Sequence, residues 1–158
     1  MTPVPTGVVV NAVNLPAMDA ETLKEQAPYG ALVSALGRFL AQLAEGRMAE
    51  AKLTYAGEVT GRPTAGLTLE FVRGVLNTIL SETVTPVNAM LVAKARGLRV
   101  TETSTTESAD YASLVTAELR TDRGSWSVAG TLYRREPRFV SIEGYELEAV
   151  PQGWMLVF

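Results

Sequence analysis

The chain has no cysteine and no histidine in its 158 residues. Without cysteine there is no disulfide, no thiolate nucleophile and no thiolate metal site. Without histidine the commonest general base and the commonest metal ligand are both missing. Serine and threonine are plentiful, yet no conventional triad can be built from them. A Ser–Lys pair using Lys24, Lys52 or Lys94 has no supporting spacing. No acidic cluster has calcium-loop spacing. Positive charge is not in excess either: 14 Lys and Arg stand against 17 Asp and Glu, a net −3, which disfavours a nucleic-acid partner. No apolar run approaches the length of a membrane span, and Thr2-Pro3-Val4-Pro5 has neither the basic start nor the apolar middle of a signal peptide. The expectation is a cytoplasmic protein with no membrane partner. The glycines form no phosphate loop or dinucleotide fingerprint, so no catalysis and no cofactor or metal are expected of this chain alone.

What is present fits one globular domain, 47% hydrophobic and 20% charged. Gly7–Val13 is expected to be a strand. Asp19 caps a short helix over about 20–26. Pro28 is expected to open a long helix from its N1 position. Tyr29, Leu32, Val33, Leu36, Phe39, Leu40 and Leu43 make its apolar stripe, and Gly46 ends it. Residues 51–59 alternate as a strand with one wet face. Thr68 caps a second helix, striped by Leu69, Val72, Val75, Leu76, Ile79 and Leu80. Thr85-Pro86 starts a third, with Val87, Met90 and Leu91 inward and Gly97 at its end. From Leu98 onward strands are expected at about 98–104, 112–121, 125–133, 138–143, 145–150 and 153–158, with turns at Asp122-Arg123-Gly124 and Glu143-Gly144. Helices gather early and strands late. The fold class is therefore α+β, a largely antiparallel or mixed sheet with helices packed on one face.

Few side chains suggest chemistry. Glu102, Glu107 and Asp110 border a Ser/Thr-rich stretch that reads as a solvated loop. Asn11, Asn14 and Asn88 most simply bond local backbone at turns and helix ends. The stretch Ala129-Gly-Thr-Leu-Tyr-Arg-Arg-Glu-Pro-Arg-Phe-Val-Ser-Ile-Glu-Gly-Tyr145 reads as strand, basic turn, strand, tight turn. Its Arg134, Arg135 and Arg138 offer planar forks that suit a carboxylate or phosphate. The plain alternative is three arginines in water.

Several phrases carry a resemblance. They are Val10-Asn-Ala-Val-Asn-Leu-Pro16, Thr54-Tyr-Ala-Gly-Glu58, Leu67-Thr68 followed by Val72-Arg-Gly-Val-Leu76, Pro86-Val-Asn-Ala89, Ala93-Lys-Ala-Arg-Gly97, Asp110-Tyr-Ala-Ser-Leu114, Val128-Ala-Gly-Thr-Leu132 and Pro137-Arg138. In this order and spacing they resemble the intervening, or allosteric substrate-binding, domain of long-form D-3-phosphoglycerate dehydrogenase, over about residues 8–153. A related module occurs in bacterial L-serine dehydratases. The resemblance implies a parent enzyme that oxidises 3-phosphoglycerate with NAD in serine biosynthesis, with substrate, nucleotide and ACT domains besides this one. It implies the intervening domain over 1–152, and 153–158 as the lead into the first ACT strand, so the chain reads as an excised regulatory domain. It also implies a small anionic effector: phosphate, phosphohydroxypyruvate or 3-phosphoglycerate. Arg138 matches a basic position of the family. Two others fall here on Tyr145 and Val150, which carry no charge. Arg134 and Arg135 are expected to compensate, with Thr131 donating its hydroxyl. Three functions are thus in view: an anion-responsive regulatory module, a spacer that supports homo-oligomer formation, and the β-domain of a serine dehydratase.

Overall fold

A computed structural model describes residues 6–9 (as backbone), 20–81, 83–108 and 110–151. The elements are β1 (Thr6–Val9), α1 (Ala20–Leu43), β2 (Met48–Gly57), a 3-10 turn (Glu58–Gly61), α2 (Ala65–Ile79), α3 (Ala89–Ala95), β3 (Arg99–Thr105), β4 (Ser113–Thr121), β5 (Gly124–Tyr133), β6 (Glu136–Ile142) and β7 (Tyr145–Ala149). The strands form one sheet in the order β1-β3-β2-β4-β5-β6-β7. Among the described strands only β2 and β3 run parallel, and α2 and α3 supply the crossover that a parallel pair needs. The other neighbours are antiparallel. The α+β class and the mixed sheet with helices on one side are as expected.

α1 and α2 pack on each other and on the sheet through most of the predicted stripes, but Ile79, near the end of α2, is 46% exposed and Phe71, outside the predicted stripe, is fully buried. Leu32, Val33, Leu36, Leu40, Phe71, Val72 and Val75 are fully buried against Leu53, Tyr55, Val115, Ala117 and Leu119. Two glycines set the distance between the helices. A Cβ on Gly37 would stand 2.5 Å from the Phe71 carbonyl oxygen, and one on Gly74 2.7 Å from that of Ser34. The backbones touch where any side chain would hold them apart.

Several boundaries differ from the sequence reading. The short helix and the long one are a single helix, with Pro28 inside it rather than at its first turn. β2 begins at Met48. α2 begins at Ala65, so Thr68 lies within the helix, fully buried, and caps nothing. α3 begins only at Ala89, after a turn in which the Thr85 N–H donates to Asn88 Oδ1 (2.7 Å) and the Asn88 N–H to Thr85 Oγ1 (3.3 Å). This reciprocal bonding resembles a capping box. The buried face is Ala89, Met90 and Ala93: Met90 is inward as expected, whereas Val87, which precedes the helix, and Leu91 are each 65% exposed. Glu102 is half-buried on β3 and not in a loop, while Glu107 and Asp110 are exposed. The expectations for residues 10–13, Asn11, Asn14, Asp19 and 153–158 lie outside the described residues.

Candidate functional site

The β5–β6 hairpin turns on two residues, Arg134 (φ 50°) and Arg135 (φ 66°). Two consecutive positive φ angles match the twist of a two-residue hairpin, which Asn-Gly satisfies without strain. Here two arginines adopt it. Sequence reading starts the second strand at about 138; β6 begins already at Glu136 and so takes in Pro137 as well as Arg138.

Register decides where the side chains go. Tyr133 lies opposite Glu136 and Thr131 opposite Arg138, so these four share one face. Gly130 lies opposite Phe139 on the other face, where the Phe139 ring meets Phe39 of α1 edge-on at 5.3 Å. Arg138 therefore stands on the face turned away from the helices. Its guanidinium is 5.9 Å from the Tyr133 ring centre and that of Arg134 is 5.5 Å from it. Two cations flank one half-exposed phenol ring, a favourable electrostatic arrangement. Arg138 also donates to its neighbours: Nη2 to Glu136 Oε2 (3.2 Å) and Nη1 to the Pro137 carbonyl (2.9 Å). The Arg138 side chain is 17% exposed and that of Glu136 69%.

The three arginines thus divide. Arg134 and Arg138 meet at Tyr133. Arg135 reaches the helix layer and donates Nη2 to the Lys24 carbonyl of α1 at 3.0 Å. Thr131 is buried, and its hydroxyl donates to the Ser113 carbonyl at 2.5 Å. Val150 follows Ala149, which pairs with Phe139, and so stands at the Arg138 end of β7; Tyr145 is at the opposite end.

Beneath the hairpin Ser113 ties four elements together. Its Oγ accepts from Tyr29 Oη (2.8 Å) and from the Val59 N–H (2.9 Å), while its carbonyl takes the Thr131 hydroxyl. A second polar chain lies between sheet and α2, fully buried at Tyr55 and Thr68 and half-buried at Glu102. Thr68 Oγ1 donates to Glu102 Oε2, which also accepts from Thr64 Oγ1 at 3.4 Å. Thr68 has one hydroxyl proton, so the 2.8 Å contact with Tyr55 Oη is a donation from the phenol. Burial drives the Tyr55 phenol far above its ordinary range; the Thr68 bond opposes this and the Glu102 charge adds to it. The phenol stays protonated, as a donor in a closed network.

Sequence reading does not single out Tyr133, Glu136, Ser113 or the buried role of Glu102. A signal existed for Glu136: it and Arg138 are two apart on a strand and so share a face. Ser113 and Glu102 are set by contacts across 84 and 34 residues, which no local pattern carries. Among the described residues no group of acids is placed to hold a metal ion, and no helix is long and apolar enough to cross a membrane.

Comparison with known proteins places this geometry in context. The family model of the D-3-phosphoglycerate dehydrogenase intervening domain matches residues 25–143. D-3-phosphoglycerate dehydrogenase of Methanocaldococcus jannaschii is 30% identical over 147 residues, covering 93% of this chain and 28% of that protein. Its counterpart in Bacillus subtilis is 26% identical over 149 residues, 94% of this chain and 28% of that protein. That of Mycobacterium leprae is 31% identical over 137 residues, 85% and 26%. The chain spans little more than a quarter of the length of these relatives.

Proposed function

The chain belongs to the D-3-phosphoglycerate dehydrogenase intervening-domain family, and from that premise we propose that it is a regulatory domain that binds a small phosphorylated anion at the β5–β6 hairpin. The observation that carries this reading is the pair of guanidiniums, Arg134 and Arg138, around Tyr133. Phosphate, phosphohydroxypyruvate or 3-phosphoglycerate presents oxygens that two planar forks can share. Arg138 takes the anion and Arg134 assists. Thr131 supports the site from below through Ser113 and does not donate to the ligand. Glu136 holds Arg138 until the anion arrives. An ion pair with one partner in water is worth roughly 0–1 kcal/mol, so its displacement costs little. The parent protein is then an NAD-dependent D-3-phosphoglycerate dehydrogenase whose catalytic groups, NAD and ACT domain lie on other segments.

The test is thermal denaturation with millimolar phosphate or phosphohydroxypyruvate against chloride of equal ionic strength. Both anions are expected to raise the Tm. Arg138→Ala abolishes the rise, and Glu136→Gln lowers the concentration needed, because the internal competitor is gone. No rise in the unaltered chain would sink the reading.

A second reading, a spacer that supports oligomerisation, is favoured by one feature. Val87, in the turn before α3, and Leu91, on α3, are both largely exposed. The two readings are compatible, since an effector site and a subunit contact use different faces.

A further inference from the structure

α1 passes through Pro28 without ending. Proline has no N–H, so the Lys24 carbonyl four residues earlier loses its intrahelical donor. Water could serve an exposed carbonyl. Instead Arg135 Nη2 takes the place of the missing N–H at 3.0 Å, from a residue 111 positions along the chain. The same Arg135 occupies a turn position of φ 66°, next to Arg134 at φ 50°, backbone that long side chains seldom adopt. Asn-Gly would close this hairpin more easily. Arg135 thus fits its turn poorly but supplies the donor that Pro28 withholds.

We propose that Arg135 is a positioning residue, a latch that ties the β5–β6 turn to the first two turns of α1 at the Pro28 gap. The latch fixes the turn backbone, and with it the separation of Arg134 and Arg138 across Tyr133. Arg135 itself touches no ligand. Its ligand-dependent half rests on the anion reading above; the latch as such does not. Coupling of this kind is reciprocal. An anion that prefers the docked turn slows the opening of α1 near Pro28 by the factor by which docking strengthens anion binding. α1 already packs on this part of the sheet, where Phe39 meets Phe139 of β6; the Arg135 bond adds a polar tie near the start of the helix.

Hydrogen exchange of the full chain, followed by mass spectrometry, tests this. Arg135→Ala is expected to speed exchange of amides 24–31 roughly fivefold, as loss of a charged donor should. Arg135→Lys, which keeps a cationic donor, restores part of the protection. Pro28→Ala returns an N–H to the Lys24 carbonyl, so in that background Arg135→Ala changes exchange by less than about twofold. Equal effects in both backgrounds, or none in either, would overturn the latch. Should Arg135→Ala unfold the whole chain, Arg135→Lys with and without Pro28→Ala makes the same comparison and decides the matter by the same criterion. Inorganic phosphate, against matched potassium chloride, is expected to slow amides 24–31 in the unaltered chain. A Tm rise without slower exchange there refutes the coupling and leaves the anion reading intact. No Tm rise, with the Pro28 dependence of Arg135→Ala preserved, refutes the anion reading and upholds the latch.

Discussion

Tyr55 is fully buried, and its phenol donates to Thr68, which donates to Glu102. Burial keeps the phenol protonated far beyond its usual range. In the unfolded chain it ionises near pH 10. Above that pH the unfolded state has lost a proton that the folded state keeps, so folding stability falls as pH rises. The contribution is fully present below pH 10 and decays above it by about 1.4 kcal/mol per pH unit. Tyr55→Phe removes this dependence. At pH 7 it costs about 1 kcal/mol, since Thr68 loses one donor. Urea unfolding at pH 7, 9 and 11 should therefore show the unaltered chain and the variant converging as pH rises. Parallel loss in both would show that the phenol is not held as described.

At the scale of elements, the α1–α2 contact decides the sign of a substitution that propensity would misjudge. Gly→Ala inside a helix ordinarily stabilises by up to about 1 kcal/mol. At Gly37 the new methyl would stand 2.5 Å from a backbone oxygen of α2. Backbone cannot swing aside as a side chain can, so the helices must separate. Overpacking of this kind costs about 1–3 kcal/mol and outweighs the propensity gain. Gly37→Ala is expected to lower the urea midpoint by a net destabilisation of about 1–2 kcal/mol. A higher midpoint would mean that the helices do not touch there. The sequence shows the apolar stripes on either side of Gly37 and Gly74 but not their meeting, because both glycines look permissive until two helices are brought together.

For the whole molecule, one balance separates the regulatory reading from the spacer reading. Hydrophobic side chains exposed in isolation are ordinary, but Leu91 on α3 and Val87 in the turn that leads into it are both 65% exposed. If the chain self-associates through α3, light scattering will give a mass above 17.0 kDa. Leu91→Glu will return it to the monomer without lowering the Tm. A monomer at all accessible concentrations would remove the spacer reading and leave anion binding at the hairpin untouched.

The sequence by itself determined the class of fold, the buried stripes of α1 and α2 apart from Ile79, most strands within two or three residues, and the family. These depend on periodicity, turn chemistry and ordered motifs, which are local. It also placed Arg134, Arg135 and Arg138 at one hairpin. Only the tertiary structure divided them. Period-two alternation turns Arg138 away from the helices and onto Tyr133, while the turn aims Arg135 at α1. It likewise merged two expected helices across Pro28, where a donor from 111 residues away meets the Lys24 carbonyl that proline leaves without its intrahelical partner. Local pattern fixes which face of an element is apolar. Which polar groups then find each other depends on register and distance between segments, and those exist only once the chain has closed.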